Sequence, residues 1–167
     1  MVEEKTVRVD VKGLGIILYS GPSVSHIREG EDYLTSKYCA PEQVLEHVYQ
    51  GTIIGFCTSS PGTYHLQFLN GYPDDDLCAT SDFTLRLGLH VKSTRVFVRD
   101  LYDLMKWTAW CPSTQTLSAD DGYYHVTLCS SLPASKILGD EQSVTVYMSK
   151  LDKMPRLRFA GIPVLCE

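Results

Sequence analysis

Histidine and cysteine are the side chains here that would act as metal ligands or nucleophiles, and the chain holds five histidines and six cysteines. The cysteines, at positions 39, 57, 78, 111, 129 and 166, never form the C-x-x-C spacing of zinc or redox sites. We therefore expect free, mostly buried thiols and no metal requirement. His65, His90 and His125 fall on the polar faces of predicted strands. They would form a metal triad only if those strands were neighbours, and three separate half-exposed side chains are the simpler interpretation.

Grouped carboxylates are the next candidates for chemistry. Asp74, Asp75 and Asp76 lack the alternating oxygen ligands and spaced glycine of a calcium loop, so a solvated turn is expected. Asp120 and Asp121 resemble a catalytic pair, but the glycine that follows them indicates a tight hairpin turn. The chain also lacks a glycine-rich phosphate loop, a G-x-S-x-G elbow and an H-E-x-x-H motif. We predict no catalytic residues and no cofactor.

Two pairs of aromatic residues have both a structural and a functional interpretation. Trp107 and Trp110 either anchor a helix to a sheet or form a recognition patch, because Trp and Tyr dominate interface hot spots. We expect one of them to be buried and the other exposed. Tyr123 and Tyr124 present the same choice, and strand alternation directs only one of these two rings inward.

Length, hydropathy and charge restrict the class of protein. A chain of 167 residues with 44% hydrophobic and 21% charged residues fits one globular domain, 1–167. No apolar run approaches the roughly 18 residues that span a bilayer, and an acidic segment follows Met1 where a signal peptide would be basic. No membrane association and a cytoplasmic location are expected.

Charge is unevenly distributed along the chain. Residues 1–80 carry 5 Lys/Arg and 11 Asp/Glu, whereas residues 81–167 carry 10 Lys/Arg and 9 Asp/Glu. This excess of acid argues against direct nucleic-acid binding and favours a basic protein partner.

The hydrophobic pattern predicts a mainly β fold, an antiparallel β-sandwich of about eight or nine strands with two short helices. The turn cluster 59–62 predicts a hairpin between 53–57 and 64–69, and nine alternating residues at 83–91 predict a central strand. The aperiodic segment 23–38 predicts a long exposed loop. Further strands are expected at 7–11, 14–19, 96–98, 124–128 and 144–148, with an extended tail at 155–163.

Capping signals place the two helices and fix their buried faces. Pro41 and Gly51 bound a helix at 41–50, and Asp100 caps a second near 100–108, in which Leu101, Leu104 and Met105 are expected to face inward. The predicted strand core consists of Leu85, Leu87, Leu89, Val126, Leu128, Val144 and Val146.

The last 70 or so residues carry a resemblance. The phrases VRDLYDLMKW, DGYYHVTL, VTVYM and MPRLRFAGIPVL, within residues 98–165, resemble small bacterial immunity proteins encoded beside polymorphic toxins. Those are the cognate antidotes of Rhs-type and type VI secreted effectors. The same phrases are more loosely similar to competence-associated nuclease inhibitors. The resemblance implies a toxin-binding protein that is not an enzyme.

Two functions follow as hypotheses. The first is an immunity protein that occludes the active site of a basic toxin domain, one acting on nucleic acid or nucleotides, in the cytoplasm. The contact residues expected for it are Glu29, Glu31, Asp32, Asp74, Asp75, Asp76, Asp120, Asp121, Trp107, Trp110 and Tyr123. The second is a small β-sandwich enzyme or ligand-binding module whose site is assembled from distant residues. A deep pocket holding two or more histidines, or a bound metal, would favour it.

Overall fold

The computed structural model describes residues 1–167 and contains two β-sheets with a shared apolar interior. The five-stranded sheet has the order β1-β4-β9-β8-β5 and the four-stranded sheet the order β3-β2-β6-β7. All neighbouring strands are antiparallel except β4 and β9, which are parallel. The strands are β1 (Lys5–Val11), β2 (Gly15–Tyr19), β3 (Ile53–Cys57), β4 (Gly62–Asn70), β5 (Phe83–Val91), β6 (Arg95–Asp100), β7 (Thr116–Ser118), β8 (Gly122–Ser130) and β9 (Gln142–Leu151).

The interior confirms the mainly β prediction and the predicted inward faces. All seven predicted strand-core residues are buried, and Leu87, Val126 and Leu128 are completely inaccessible to solvent. In β5, Leu85 and Leu87 alternate with the exposed Thr84 and Arg86, which is the period that one covered sheet face requires. In β8, Thr127 and Cys129 on the opposite face are buried as well, so that part of the strand is covered on both faces. Tyr124 points inward with Val126 and Leu128 while Tyr123 points outward, as alternation predicts.

Two predicted strand arrangements are wrong. The strands β3 and β4 do not form a hairpin, because the turn between them crosses from one sheet to the other. Four of the five β3 residues are buried, so both faces of that strand are covered and alternation gave no pairing signal. The strand β5 is not central but lies at the edge of its sheet. Its free edge is covered where the His90 amide donates to the Gly51 carbonyl at 2.9 Å.

Three α-helices are present where two were predicted: α1 (Tyr33–Lys37), α2 (Pro41–Gln50) and α3 (Asp75–Thr80). The helix α2 has the predicted bounds, and Gly51 ends it at a φ of 70°. The predicted turn at Asp74–Asp76 is instead the start of α3, where the Asp74 carboxylate accepts from the Leu77 amide at 2.8 Å. The acids that follow in its first turn favour that helix end, because they oppose its positive dipole.

The segment predicted as an exposed loop, 23–38, is ordered against the core. It contains α1, and it buries Val24, Ile27, Tyr33 and Tyr38. The Tyr38 hydroxyl donates to the Ile53 carbonyl at 2.7 Å, which ties the segment to β3. The spacing of these four residues follows neither a helix nor a strand period, which explains why the hydrophobic pattern did not reveal their burial.

The second predicted helix is a 3₁₀ helix, Leu101–Met105. Asp100 caps it as predicted, with its carboxylate accepting from the Tyr102 amide at 3.2 Å. Three residues per turn place Leu101 and Leu104 on the covered side and Tyr102 and Met105 on the open side. Leu104 is buried, whereas Met105 is 41% exposed, so the prediction that Met105 faces inward is wrong.

The chain after β9 runs as an extended tail along the sandwich, as predicted. Val164 bridges to Cys57 in parallel, and the Leu165 amide donates to the Cys57 carbonyl at 2.9 Å, so the tail covers the edge of β3. A covered edge strand cannot pair with another chain. None of the helices is long and apolar enough to cross a bilayer; the longest, α2, has ten residues.

Candidate protein-interaction surface

Five of the predicted contact residues come together on one surface of the protein. This surface, called here the Trp110 end, consists of segments 28–32 and 105–110. The Gly30 amide donates to the Trp107 carbonyl at 2.7 Å, and the Trp107 amide donates to the Glu31 carbonyl at 3.0 Å. Glu29 accepts from the Ala109 amide at 2.6 Å. Two segments separated by more than seventy residues in sequence are therefore joined by a short backbone ladder.

A tight turn presents the acids at this end. The Glu31 amide donates to the Arg28 carbonyl, and the Glu31 carboxylate accepts from the Arg28 amide, both at 3.0 Å. Gly30 has a φ of 79°, in the left-handed region that favours glycine, and no atom lies near the position of a Cβ. Asp32 caps α1 through the Thr35 amide at 3.0 Å. The carboxylates of Glu29, Glu31 and Asp32 are thus held by local hydrogen bonds.

A buried arginine supports the same end from below. Arg99, on β6, is 4% exposed; it donates to the Asp103 carboxylate at 2.8 Å and to the Thr108 carbonyl at 2.7 Å. Its guanidinium carbon lies 4.6 Å from the centre of the Trp107 ring. This arrangement combines a buried, hydrogen-bonded charge with a cation–π contact, and it fixes the segment that carries both tryptophans.

Electrostatics favour the charged state of that arginine. Burial opposes the charge, but hydrogen bonds with Tyr19 and Asp103 outweigh it, so the pKa of Arg99 is raised. The Tyr19 hydroxyl accepts from Arg99 at 3.2 Å, and burial raises the pKa of Tyr19 to about 12. The Tyr19 ring also stacks on Phe97 at 5.3 Å and meets Trp107 edge-on at 5.6 Å. Both groups therefore keep their protons at neutral pH.

The two tryptophans divide as predicted. Trp107 is buried within the core, whereas Trp110 is 71% exposed beside the acidic turn. Tryptophan is among the residues that are enriched at interface hot spots, and Trp110 is exposed beside fixed carboxylates. The buried Trp107 contributes stability to the segment rather than contact area.

The remaining predicted contact residues lie elsewhere. Asp121 accepts from the Thr94 amide at 2.7 Å, one residue before β6 begins. Segment 105–110 of the Trp110 end lies beyond Asp100, the residue at which β6 ends. Asp120 pairs with the amino group of Met1. Asp74, Asp75 and Asp76 belong to α3, and Tyr123 stacks on His90 at 4.2 Å on the outer face of the five-stranded sheet. The structure therefore separates the predicted acidic clusters into different surfaces.

The histidines and cysteines form no metal site. His65 pairs with Glu141, His90 stacks on Tyr123, and His125 contacts the Tyr72 hydroxyl at 3.2 Å, so the three are separate. No three His, Cys, Asp or Glu side chains meet in a way that would hold a metal ion, and all six cysteines are unpaired. Of the five principal cavities, one contains a histidine, His26, and none contains two.

An apolar groove beside the Trp110 end was not predicted. It has a volume of about 330 Å³ and lies between α1, α2, β3 and the 3₁₀ helix. Leu14, Tyr102 and Met105 are exposed hydrophobic residues that line it. The sequence carried one usable signal for it, since a 3₁₀ period would have placed Tyr102 and Met105 together on the open side.

Comparisons with known proteins identify the fold. No protein-family model matches the chain, and no curated protein matches it. Among solved structures, ComJ from Bacillus subtilis, an inhibitor of the DNA-degrading activity of NucA, superposes with a TM-score of 0.54 at 10% identity, covering 90% of this chain and 99% of ComJ. The product of crocagin biosynthetic gene J gives a TM-score of 0.48 at 12% identity, covering 88% of this chain and 96% of that one. The chain thus has a fold similar to that of ComJ along almost its whole length.

Proposed function

We propose that the protein is an inhibitor that binds a nuclease through the Trp110 end and blocks access to its active site. The observation that carries the proposal is the fixed combination of the exposed Trp110 with the Glu29, Glu31 and Asp32 carboxylates. A nuclease cleft that holds a phosphate backbone is cationic, so carboxylates in a fixed frame complement it. The fold shared with ComJ supports the same role.

The rigidity of this end supports a binding function. Its carboxylates are held by backbone amides and its tryptophan segment by Arg99, so little side-chain entropy remains to be lost on association. The exposed indole of Trp110 supplies apolar contact area beside the charged turn. Steering by charge raises the association rate, while the indole slows dissociation.

The finer part of the proposal concerns the partner. We propose that the nuclease is the toxin domain of a secreted Rhs-type or type VI effector, against which this protein protects the producing cell from within its cytoplasm. The resemblance of residues 98–165 to immunity proteins supports this assignment. A protein with this role needs no catalytic group, because stoichiometric occlusion suffices.

Inhibition and protection test the proposal together. The toxin domain encoded by the neighbouring upstream gene is purified, and its degradation of plasmid DNA is followed with increasing amounts of this protein. We expect complete inhibition at equimolar protein, and survival of cells that express both proteins. The double variant Glu29→Gln/Trp110→Ala should lose most of the inhibition, and the matched double variant Asp120→Asn/Asp121→Asn should retain it. Undiminished DNA degradation at excess protein would contradict the proposal.

A further inference from the structure

We propose that the apolar groove beside the Trp110 end is an anchoring site for a hydrophobic side chain carried on a basic segment of the partner protein. This inference rests on the proposed function for the partner's identity, and it adds a second contact site. The groove is lined by Leu14, Leu34, Val44, Phe56, Tyr102 and Met105.

Exposure of apolar surface is the first argument. Leu14, Tyr102 and Met105 are 50%, 43% and 41% exposed, and they lie together on one concave surface. Single exposed hydrophobic residues are ordinary, but a contiguous apolar concavity marks a place where another molecule binds. Methionine suits such a place, because its flexible thioether adapts to the shape of the occupant.

The groove is preformed, which is the second argument. The Tyr102 ring packs against Gly13, where a Cβ would lie 2.5 Å from the ring, and the Asp100 carboxylate holds the Lys12 amide at 2.8 Å beside it. On the opposite wall, Tyr38 occupies the space of a side chain at Gly55, whose Cβ would lie 2.7 Å from the hydroxyl. Both walls are therefore fixed by backbone contacts and do not need to rearrange when an anchor enters.

Charge identifies the occupant. Residues 21–50, which supply Leu34 and Val44, carry five carboxylates and two cations. Residues 99–112, which supply Tyr102 and Met105, carry two carboxylates and two cations, and Arg99 pairs with Asp103 there. These two segments together hold three of the five net negative charges of the chain. An anionic surround repels nucleic acid, anionic lipid and a second copy of the same end, and it attracts a cationic segment. A groove of about 330 Å³ fits one or two anchor side chains of such a segment.

Three synthetic twelve-residue peptides test the groove without the nuclease. The first carries lysines around two leucine anchors, the second has serine in place of leucine, and the third has glutamate in place of lysine. The chain has four methionines, so methyl-labelled protein reports on the groove through Met105, while the buried Met148 serves as an internal reference for an intact core. We expect the first peptide to shift the Met105 methyl signal and to bind about tenfold more tightly than either of the others.

Two substitutions test whether the peptide that shifts the Met105 signal binds in the groove. Leu34→Ala should weaken the first peptide about tenfold, and the matched surface change Ile137→Ala, at a residue 63% exposed and outside the groove, should not alter it. Equal binding of the lysine and serine peptides overturns the apolar anchor, and equal binding of the lysine and glutamate peptides overturns the charge argument. A concentration-dependent Met105 shift without peptide, together with a dimeric mass, shows that a second copy covers the groove and also overturns the proposal. If the wild-type protein binds the lysine peptide but does not inhibit the nuclease, the proposed function is contradicted and the anchoring site is not.

Discussion

The two ends of strand β6 both carry aspartate or glutamate, yet they differ in what surrounds the carboxylates. At the Trp110 end, Glu29 lies beside an exposed indole and close to an apolar groove, on a frame supported by Arg99. At the other end, Asp121 accepts from the Thr94 amide and Asp120 pairs with the chain terminus. Those carboxylates close a turn and hold a strand end. Acidity is therefore common to the two ends, and what differs is the ordered, exposed apolar area, which we propose as the basis of recognition at the Trp110 end.

Removing the support of the Trp110 end should have a large effect on stability. Arg99→Ala leaves Asp103 and the Thr108 carbonyl without their buried donor and removes a side chain packed on Trp107. We expect the free energy of unfolding to fall by about 3 to 5 kcal/mol, measured by urea denaturation. Arg95→Ala, on the same strand but exposed, is the matched control and should change stability by less than about 0.5 kcal/mol. Equal effects of the two would show that Arg99 does not support this end.

The two tryptophans should separate stability from binding. Trp107→Ala removes a buried indole and should lower the free energy of unfolding by about 3 to 5 kcal/mol. Trp110→Ala removes an exposed one and should leave stability within about 0.5 kcal/mol, but weaken nuclease binding by about 2 kcal/mol or more. Urea denaturation and titration calorimetry with the nuclease give the two numbers. A Trp110→Ala variant that binds like the wild type would remove this side chain from the interface.

Neutralising charge at each end tests the comparison directly. Glu29→Gln/Asp32→Asn keeps hydrogen-bond acceptors for the Ala109 and Thr35 amides while removing two charges. We expect the association rate with the nuclease to fall about tenfold at low salt and the difference to shrink as salt is added. Stopped-flow measurements should show no such change for Asp120→Asn/Asp121→Asn. If both pairs slow association equally, the two ends are equivalent and the comparison fails.

A histidine network beneath the acidic turn should make stability depend on pH, with the smallest effect of this series. The Tyr33 hydroxyl contacts His26 at 3.1 Å and His47 at 2.9 Å, and His47 also contacts Thr52 at 2.7 Å. Burial and the neighbouring His26 lower the pKa of His47, although Glu46 opposes this shift. The folded state therefore disfavours the protonated imidazole, and the unfolded chain binds the proton more readily.

This difference in proton affinity between the folded and unfolded states determines how stability changes with pH. Stability is complete above the ordinary histidine pKa of about 6.5 and decreases as the pH falls below it, until the folded protein is protonated as well. His47→Gln should show a shallower decrease in unfolding free energy between neutral and mildly acidic pH than the wild type. His90 and His125, whose pKa values burial also lowers, contribute to the decrease that remains. Identical pH profiles for the two proteins would contradict the prediction.

Local sequence signals accounted for much of the fold. The helix at 41–50 was predicted with its correct bounds, since Pro41 and Gly51 act within one helical turn of their own positions. Inward faces such as Leu87 and Val126 followed from a period of two, which one sheet face imposes regardless of its neighbours. The pairing of β4 with β9 and the edge position of β5 were missed because alternation specifies a face and not a partner.

The same division between local and long-range information applies to the Trp110 end. The sequence by itself determined the residue types at the Trp110 end: clustered acid at 29–32, two tryptophans three positions apart, and the Asp100 cap before them. The tertiary structure alone decided that Glu29 meets Ala109, that Asp121 lies at the opposite end of β6, and that Tyr102 and Met105 border a groove with Leu14. The physical reason is range, since caps, turns and periodicity act over a few residues. The meeting of positions 29 and 109 depends instead on contacts between distant segments, in which Arg99 fixes the Trp107 segment and Trp107 pairs through its backbone with Gly30 and Glu31.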